Sequence, residues 1–203
     1  MRREHAEPLR LVVAFSGGPD SLALLWGLTR LRALRVRPLA AHLDHALDPG
    51  SADRAELAAH LARRLDVPLR CERWPVPELR RSGEALEAAA RRVRYAFLIE
   101  VATAAGADAI LTGHHRDDQA ETVLLRIAHG SGWAGLAAVG ARPGRVLRPL
   151  LAIPKRTLLE ALSRAGLTGA SDPGNDDPRL LRNRLRRSIL PRLAGGAPGE
   201  LSA

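Results

Sequence analysis

Ser16-Gly17-Gly18-Pro19-Asp20-Ser21 sets two glycines, two hydroxyls and a carboxylate between an apolar run and a leucine-periodic segment. Backbone N–H groups at a helix start are unpaired, and the helix dipole favours an anion there, so the chemistry this loop suits is phosphate binding. The glycines let the backbone approach a phosphate closely, the serine hydroxyls can donate to its oxygens, and Asp20 could hold a Mg²⁺ that bridges phosphates. A plain turn with Ser16 or Asp20 capping the helix uses the same residues and stays open. The spacing matches neither the GxxxxGK[ST] of a Walker loop nor the GxGxxG of a dinucleotide fold.

A second cluster runs from Thr112 to Thr122, TGHHRDDQAET. Asp118 and Glu121 are three residues apart and so share one helical face, an arrangement suited to an ammonium group or a metal. Capping by Asp117 or Asp118 accounts for one acid but not for the cluster. His114 and His115 are adjacent at a strand end, where successive side chains point in different directions, which argues against a dedicated zinc site. In His42-Leu43-Asp44-His45, alternation puts His42 and Asp44 on one side, near where a nucleotide base or ribose would lie; a hydrogen-bonded core histidine is the equally ordinary alternative. Glu87 and Arg91 form an i to i+4 pair of the kind that stabilises a helix surface, and Arg94 follows near that side. Arg182, Arg184 and Arg186 lie on a segment whose apolar side is Leu181, Leu185, Ile189 and Leu193, and contact with a nucleic-acid backbone is the functional reading.

The elements that position these residues follow from periodicity. Leu9 to Phe15 reads as a buried strand, and Leu22, Leu25, Leu28 and Leu31 recur at helical spacing after the glycine loop. Strands are expected at Val36 to Leu43, Pro68 to Trp74, Ala109 to Thr112 and Arg145 to Leu151. Helices are expected at Asp53 to Leu65, Glu84 to Ala105 and Asp117 to Ala128, the second with an apolar stripe of Leu86, Ala90, Val93, Phe97 and Val101. Strands alternating with helices of this length imply an α/β fold: an open, parallel, Rossmann-like sheet of about five strands, helices on both faces. Loops 16 to 21, 42 to 48 and 112 to 118 then converge beyond the carboxyl ends of the strands. After Pro154 two helices, Lys155 to Ala165 and Arg179 to Leu193, form a small basic appendage, giving expected units 1–153 and 154–194 and a flexible tail 195–203. The segment 130 to 135, GSGWAG, reads as a mobile loop.

Composition narrows the partners. The 203 residues contain no stretch approaching the roughly 20 apolar residues of a membrane span. The basic start runs into a short apolar segment without a small-residue cleavage site, so it is expected to be a first strand. Cys71 is the only cysteine, so no internal disulfide or Cys-rich metal site forms, and the cytoplasm is the expected compartment. Of 31 basic residues only Lys155 is lysine. Residues 1 to 140 carry 19 arginines against 17 acids, whereas residues 141 to 203 carry 12 basic residues against 5 acids. A cationic excess concentrated at one end points to a polyanionic partner, and the six aromatics argue against a binder that works by base stacking.

SGGPDS at 16 to 21, HLDHAL at 42 to 47, EAAARRVRY at 87 to 95, TGHHRDDQAET at 112 to 122, RPLL at 148 to 151 and DPGNDDPRLLRNRLR at 172 to 186 occur in the order found in bacterial tRNA(Ile)-lysidine synthetases. The chain resembles that family over roughly residues 9 to 190; SGGxDS alone marks only the wider N-type ATP pyrophosphatase, or PP-loop, superfamily. The resemblance implies that ATP adenylates the C2 oxygen of the wobble cytidine in a CAU-anticodon isoleucine tRNA. Pyrophosphate is released, and the amine of L-lysine then displaces AMP. It implies that Ser16, Gly17, Gly18, Pro19, Asp20 and Ser21 grip the phosphates, with Asp20 towards Mg²⁺. His42, Asp44 and Gly113 are also expected to border the nucleotide. Arg94, His114 and Asp118, with Asp20, would lie at the reacting groups, Asp118 and Glu121 would bind lysine, and Arg182, Arg184 and Arg186 would face tRNA or the AMP phosphate.

Two departures from the family pattern stand out. Asp48 occupies the place of the family's arginine after the DHxL element, and the sequence ends before the C-terminal domains through which relatives help select tRNA, as expected of a short form. A homodimer is left open. Competing expectations are a PP-loop tRNA thiolase, for which several cysteines would be needed, an amidotransferase-type ligase, for which an ammonia source would be needed, and a nucleotide- and tRNA-binding remnant without catalysis.

Overall fold

The computed structural model of the chain describes residues 7–31, 35–128, 130, 145–170, 185 and 190. Among the described residues, five strands and six helices follow one another as β1 (Leu9–Ala14), α1 (Pro19–Arg30), β2 (Val36–Asp44), α2 (Ser51–Arg64), β3 (Leu69–Arg73), α3 (Val76–Leu79), α4 (Leu86–Ala104), β4 (Ala109–Leu111), α5 (Arg116–Ala128), β5 (Val146–Leu147) and α6 (Lys155–Arg164). All pairings are parallel and the order is β3-β2-β1-β4-β5. The expected open α/β sheet is therefore present, with its winding reversed between β1 and β4.

Both faces of the sheet are covered, which is why β1 reads as a nearly continuous apolar run. Val13 points into a core with Leu22 and Leu25 of α1, Leu61 of α2 and Leu158 and Leu162 of α6. Val12 points to the opposite core, where Val93, Phe97 and Val101 of α4 pack with Ile110 of β4. Trp74 meets the Phe97 ring edge-on at 5.7 Å. The first helix of the expected C-terminal appendage thus packs directly on α1.

Several details differ from the sequence reading. Leu31 and Leu86, assigned to apolar stripes, are exposed, each standing at an end of its helix. The Glu87–Arg91 pair gives way to Arg91 lying over the Tyr95 ring, 5.0 Å from its centroid. A short helix, α3, precedes α4, too brief to show a period. The last strand stops at Leu147, because Pro149 has no N–H to continue a ladder and the chain turns through Leu150 to Ile153. All of the expected helix Arg179 to Leu193 except Leu185, which is buried, and Leu190, and nearly all of the 130 to 135 loop, lie outside the described residues.

Candidate nucleotide site at the sheet switch point

The loop after β1 is folded onto itself. Gly17 has φ +79, a left-handed conformation open to glycine at no steric cost. The Gly18 N–H donates to Ser16 Oγ at 3.3 Å, Ser21 Oγ donates to the Gly18 carbonyl at 3.0 Å, and the two hydroxyls lie 3.2 Å apart. Gly18 is the N-cap of α1 and Pro19 follows it, with no side chain capping the helix. The capping role open to Ser16 or Asp20 is therefore not taken, and the positive end of α1 faces the crevice.

Two further chain segments press on this loop. A Cβ on Gly113, just after β4, would stand 2.9 Å from the Asp20 carbonyl carbon and oxygen. A Cβ on Gly169 would stand 2.7 Å from Pro19 N and 2.9 Å from the Gly18 carbonyl carbon, and the neighbouring Ala170 N–H donates to the Gly17 carbonyl at 2.8 Å. Gly113 is thus required by backbone-to-backbone approach.

Three helix starts meet beside the loop, and their side chains form one charged cluster. Asp20 Oδ2 lies 3.6 Å from His115 Nε2 and 3.6 Å from Lys155 Nζ. His115 Nε2 is also 3.5 Å from Asp118 Oδ2. His115 is fully buried, Asp118 is buried, and the same Asp118 oxygen accepts the His115 backbone N–H at 2.9 Å. Asp118 accordingly closes the start of α5 in the manner of a capping box. Arg116 N–H donates to the Ile153 carbonyl at 3.0 Å, which ties the start of α6 to the start of α5. Glu121, one turn further along, is fully buried. His114 has its Nδ1 2.8 Å from Thr112 Oγ1, so the two adjacent histidines make different contacts, as residues leaving a strand should.

The strand beside β1 lines the other wall. His42, buried, has Nδ1 2.9 Å from the Phe15 carbonyl, so its ring is held against the loop from behind. Asp44, also buried, accepts the Ala46 N–H at 2.8 Å, and Arg73 stands 3.6 Å from its other oxygen. That bond holds Ala46 at φ 51, a region a non-glycine residue seldom enters. Arg94, exposed on α4, is near enough to His45 for its charge to act on the imidazole. Asp48 has local work: it accepts the Gly50 N–H at 2.9 Å and pairs with Arg54 at the entry to α2.

The histidines titrate in opposite directions. Burial disfavours a charged His115, but Asp20, Asp118 and Asp117 outweigh it and raise its pKa above 6.5. Burial, aided by the charges of Arg94 and His42, holds His45 down to about 4. A raised histidine contributes stability that is complete below its ordinary pKa and lost as pH rises through the folded value. A lowered one contributes stability above its ordinary pKa that is lost as pH falls towards the folded value. Replacing His115 by Gln should therefore open a gap in denaturation midpoint that is widest below about pH 6.5 and narrows as the pH is raised. Urea titrations across that range check it, and a gap independent of pH would show that His115 does not titrate against these carboxylates.

Of the residues singled out in the sequence, Ser16 to Ser21, Gly113, Asp118 and Glu121 come together on the loops and helix starts at the switch point, with His42 and Asp44 beside them. Arg94 is exposed on α4 with its charge acting on His45, and Arg182, Arg184 and Arg186 lie outside the described residues. His115, Lys155 and Gly169 were missed. Only the HH doublet gave any local sign, and it did not say which ring turns inward.

A five-stranded parallel sheet with a glycine loop at its switch point and an uncapped helix behind it defines an α/β domain whose loop is suited to an anion. A family model described as PP-loop domain matches residues 2–193, and the chain belongs to that family. The tRNA(Ile)-lysidine synthase of Rhodopseudomonas palustris is 47% identical over 191 residues, covering 91% of this chain and 54% of the relative. That of Thermobifida fusca is 49% identical over 184 residues, covering 89% and 55%. The chain spans about half the length of the curated relatives it matches. Among solved structures, the U34-tRNA thiolase NcsA from Methanococcus maripaludis superposes with a TM-score of 0.75 at 18% identity, over 98% of this chain and 71% of that one. The NH3-dependent NAD synthetase from Campylobacter jejuni gives 0.52 at 16%, over 80% and 66%. At such identities the likeness is one of fold. Among the described residues no helix is long and apolar enough to cross a membrane.

Proposed function

We propose that this chain carries the adenylating and lysine-transferring centre of a tRNA(Ile)-lysidine synthase. The observation that carries the reading is the uncapped start of α1 at the glycine loop, placed against the TGHHRDDQAET segment in a chain 47% identical to a synthase of that name. The C2 oxygen of a wobble cytidine attacks the α-phosphorus of ATP; the bond to pyrophosphate breaks and pyrophosphate leaves with the electron pair. The amine of lysine then adds at C2 and AMP departs. A poor leaving group is thereby turned into a good one in a single crevice.

The residues suit a triphosphate and a Mg²⁺ ion. Backbone N–H groups of the loop and the positive end of α1 receive phosphate oxygens, and the Ser16 and Ser21 hydroxyls border them. Asp20 is one carboxylate beside the loop, in the first turn of α1. Such a donor set fits Mg²⁺, which keeps its waters and binds through one or two carboxylates plus substrate phosphates. Bound there, the ion would neutralise charge on the phosphates. His42 and Asp44 border the nucleoside, Arg94 and His114 flank the reacting groups, and the buried carboxylates of Asp118 and Glu121 favour the lysine ammonium. Arg182, Arg184 and Arg186 supply cations to the tRNA backbone.

Labelled lysine should enter a CAU-anticodon isoleucine tRNA transcript in the presence of Mg-ATP, and a methionine tRNA should remain unlabelled. With Arg184→Ala plus Arg186→Ala, tRNA affinity should depend less steeply on salt, because fewer counterions are released. Binding of ATP without any transfer of lysine would refute the ligase reading for this chain.

A further inference from the structure

Lys155 stands where the dipole of its own helix would not put it. It is the only lysine among 31 basic residues, and it opens α6, with Arg156 beside it and no acid in that first turn. Cations are disfavoured at the positive end of a helix. Its ammonium nevertheless lies 3.6 Å from Asp20 Oδ2, and both side chains are partly buried. Its own backbone N–H faces Asp117 Oδ1 at 3.5 Å, and the Ile153 carbonyl just before it accepts from Arg116, so the base of the side chain is fixed on the start of α5.

The starts of α1, α5 and α6 therefore converge on one spot, and all three present their positive ends to it. That field is stabilised by an anion, and the acids already there, Asp20, Asp117 and Asp118, are shared with His115 and the start of α6. A polyphosphate would complete the balance. A guanidinium would lock onto one carboxylate as a planar fork, whereas an ammonium on a flexible stem can pass from a carboxylate to a phosphate oxygen close by.

We propose that Lys155 is a phosphate-binding residue of this site, resting on Asp20 when no polyphosphate is present and contacting the pyrophosphate portion of bound ATP. It receives the negative charge that develops on pyrophosphate as the bond to the α-phosphorus breaks. The assignment rests on the ATP reading above and adds to it a cation from α6, outside the glycine loop.

The single lysine makes the test direct. Reductive methylation with ¹³C-formaldehyde labels Lys155 and the chain's α-amino group, preserves both charges, and gives two sets of NMR signals that Lys155→Arg assigns. Added Mg-pyrophosphate or Mg-ATP should shift the Lys155 signal, and adenosine should leave it in place. Lys155→Met should bind pyrophosphate roughly ten- to a hundredfold more weakly, the scale of one lost charge-assisted hydrogen bond, and Lys155→Arg should recover part of that loss. Thermal melts of both variants establish that they are folded. Pyrophosphate binding by Lys155→Met at the level of the parent chain, or an unmoved Lys155 signal while dialysis shows ATP bound, would overturn the assignment to Lys155 alone. Failure of the parent chain to bind ATP or pyrophosphate in dialysis would overturn the nucleotide reading and this assignment with it.

Discussion

Asp20→Asn should lower ATP-dependent AMP formation by roughly a hundred- to a thousandfold, the scale on which one preorganised electrostatic group acts at a reacting centre. The substitution keeps the size of the side chain and removes only its charge. Asp20 stands in the first turn of α1, 3.6 Å from both His115 Nε2 and Lys155 Nζ, so its carboxylate is the hinge of the cluster. Without it His115 and Lys155 lose a shared carboxylate, and under the proposed function a metal held mainly by phosphates would lose its protein anchor. Asp118 still faces His115, so the variant should remain folded. Pyrophosphate release and a thermal melt measured together separate the two effects. A folded variant retaining activity within about tenfold would reduce Asp20 to a first-turn acid that merely favours the helix dipole, worth about 0.3–1 kcal/mol.

Gly113→Ala should weaken ATP binding by about a hundredfold and cost roughly 1–3 kcal/mol of stability, as overpacking does when the obstructing atoms cannot rotate away. The new Cβ would meet the Asp20 carbonyl carbon and oxygen at 2.9 Å and Ser21 N at 3.1 Å, all of them backbone. Relief requires the glycine loop and the start of α5 to move apart, which displaces the phosphate cradle from the TGHHRDDQAET residues. Gly27 provides the contrast: it lies within α1 and a Cβ there meets nothing within 4 Å. Gly27→Ala should raise stability by about 0.5–1 kcal/mol and leave ATP affinity unchanged. Denaturation midpoints and ATP titrations on the two variants give the comparison. Equal behaviour of the two would remove the steric argument for Gly113.

The features legible in the sequence were those with a local physical cause. Val12 and Val13 sit in an apolar run that announces a strand buried on both faces, and Leu22, Leu25 and Leu28 announce a helix by their period. Gly17 and Gly18 between them announce a turn that opens a helix. Where local signals are weak, structure and pattern part: α3 is only four residues long, and Leu86 keeps the stripe's spacing but stands at the exposed first turn of α4. The site was legible as a set of loops at one sheet edge, since alternation of strands and helices alone puts 16 to 21 and 112 to 118 together.

Its inner arrangement was not legible, and the histidine doublet shows why. Residue types narrowed the choice to His114 or His115; the course of the chain after β4 turned His115 between Asp20 and Asp118 and left His114 on Thr112. Lys155 is 135 positions from Asp20, and Gly169 is 151 positions from Gly18, yet both pairs are in contact because Leu158 and Leu162 dock α6 on α1. By itself the sequence determined the alternation of elements, the glycine loop and the chemical types at the sheet edge, because periodicity, turn chemistry and helix dipoles act over a few residues. The tertiary structure alone decided which cation meets which carboxylate and which glycine cannot bear a methyl group, because those depend on the register of β1 against β4 and on the docking of α6, and neither has a local signature.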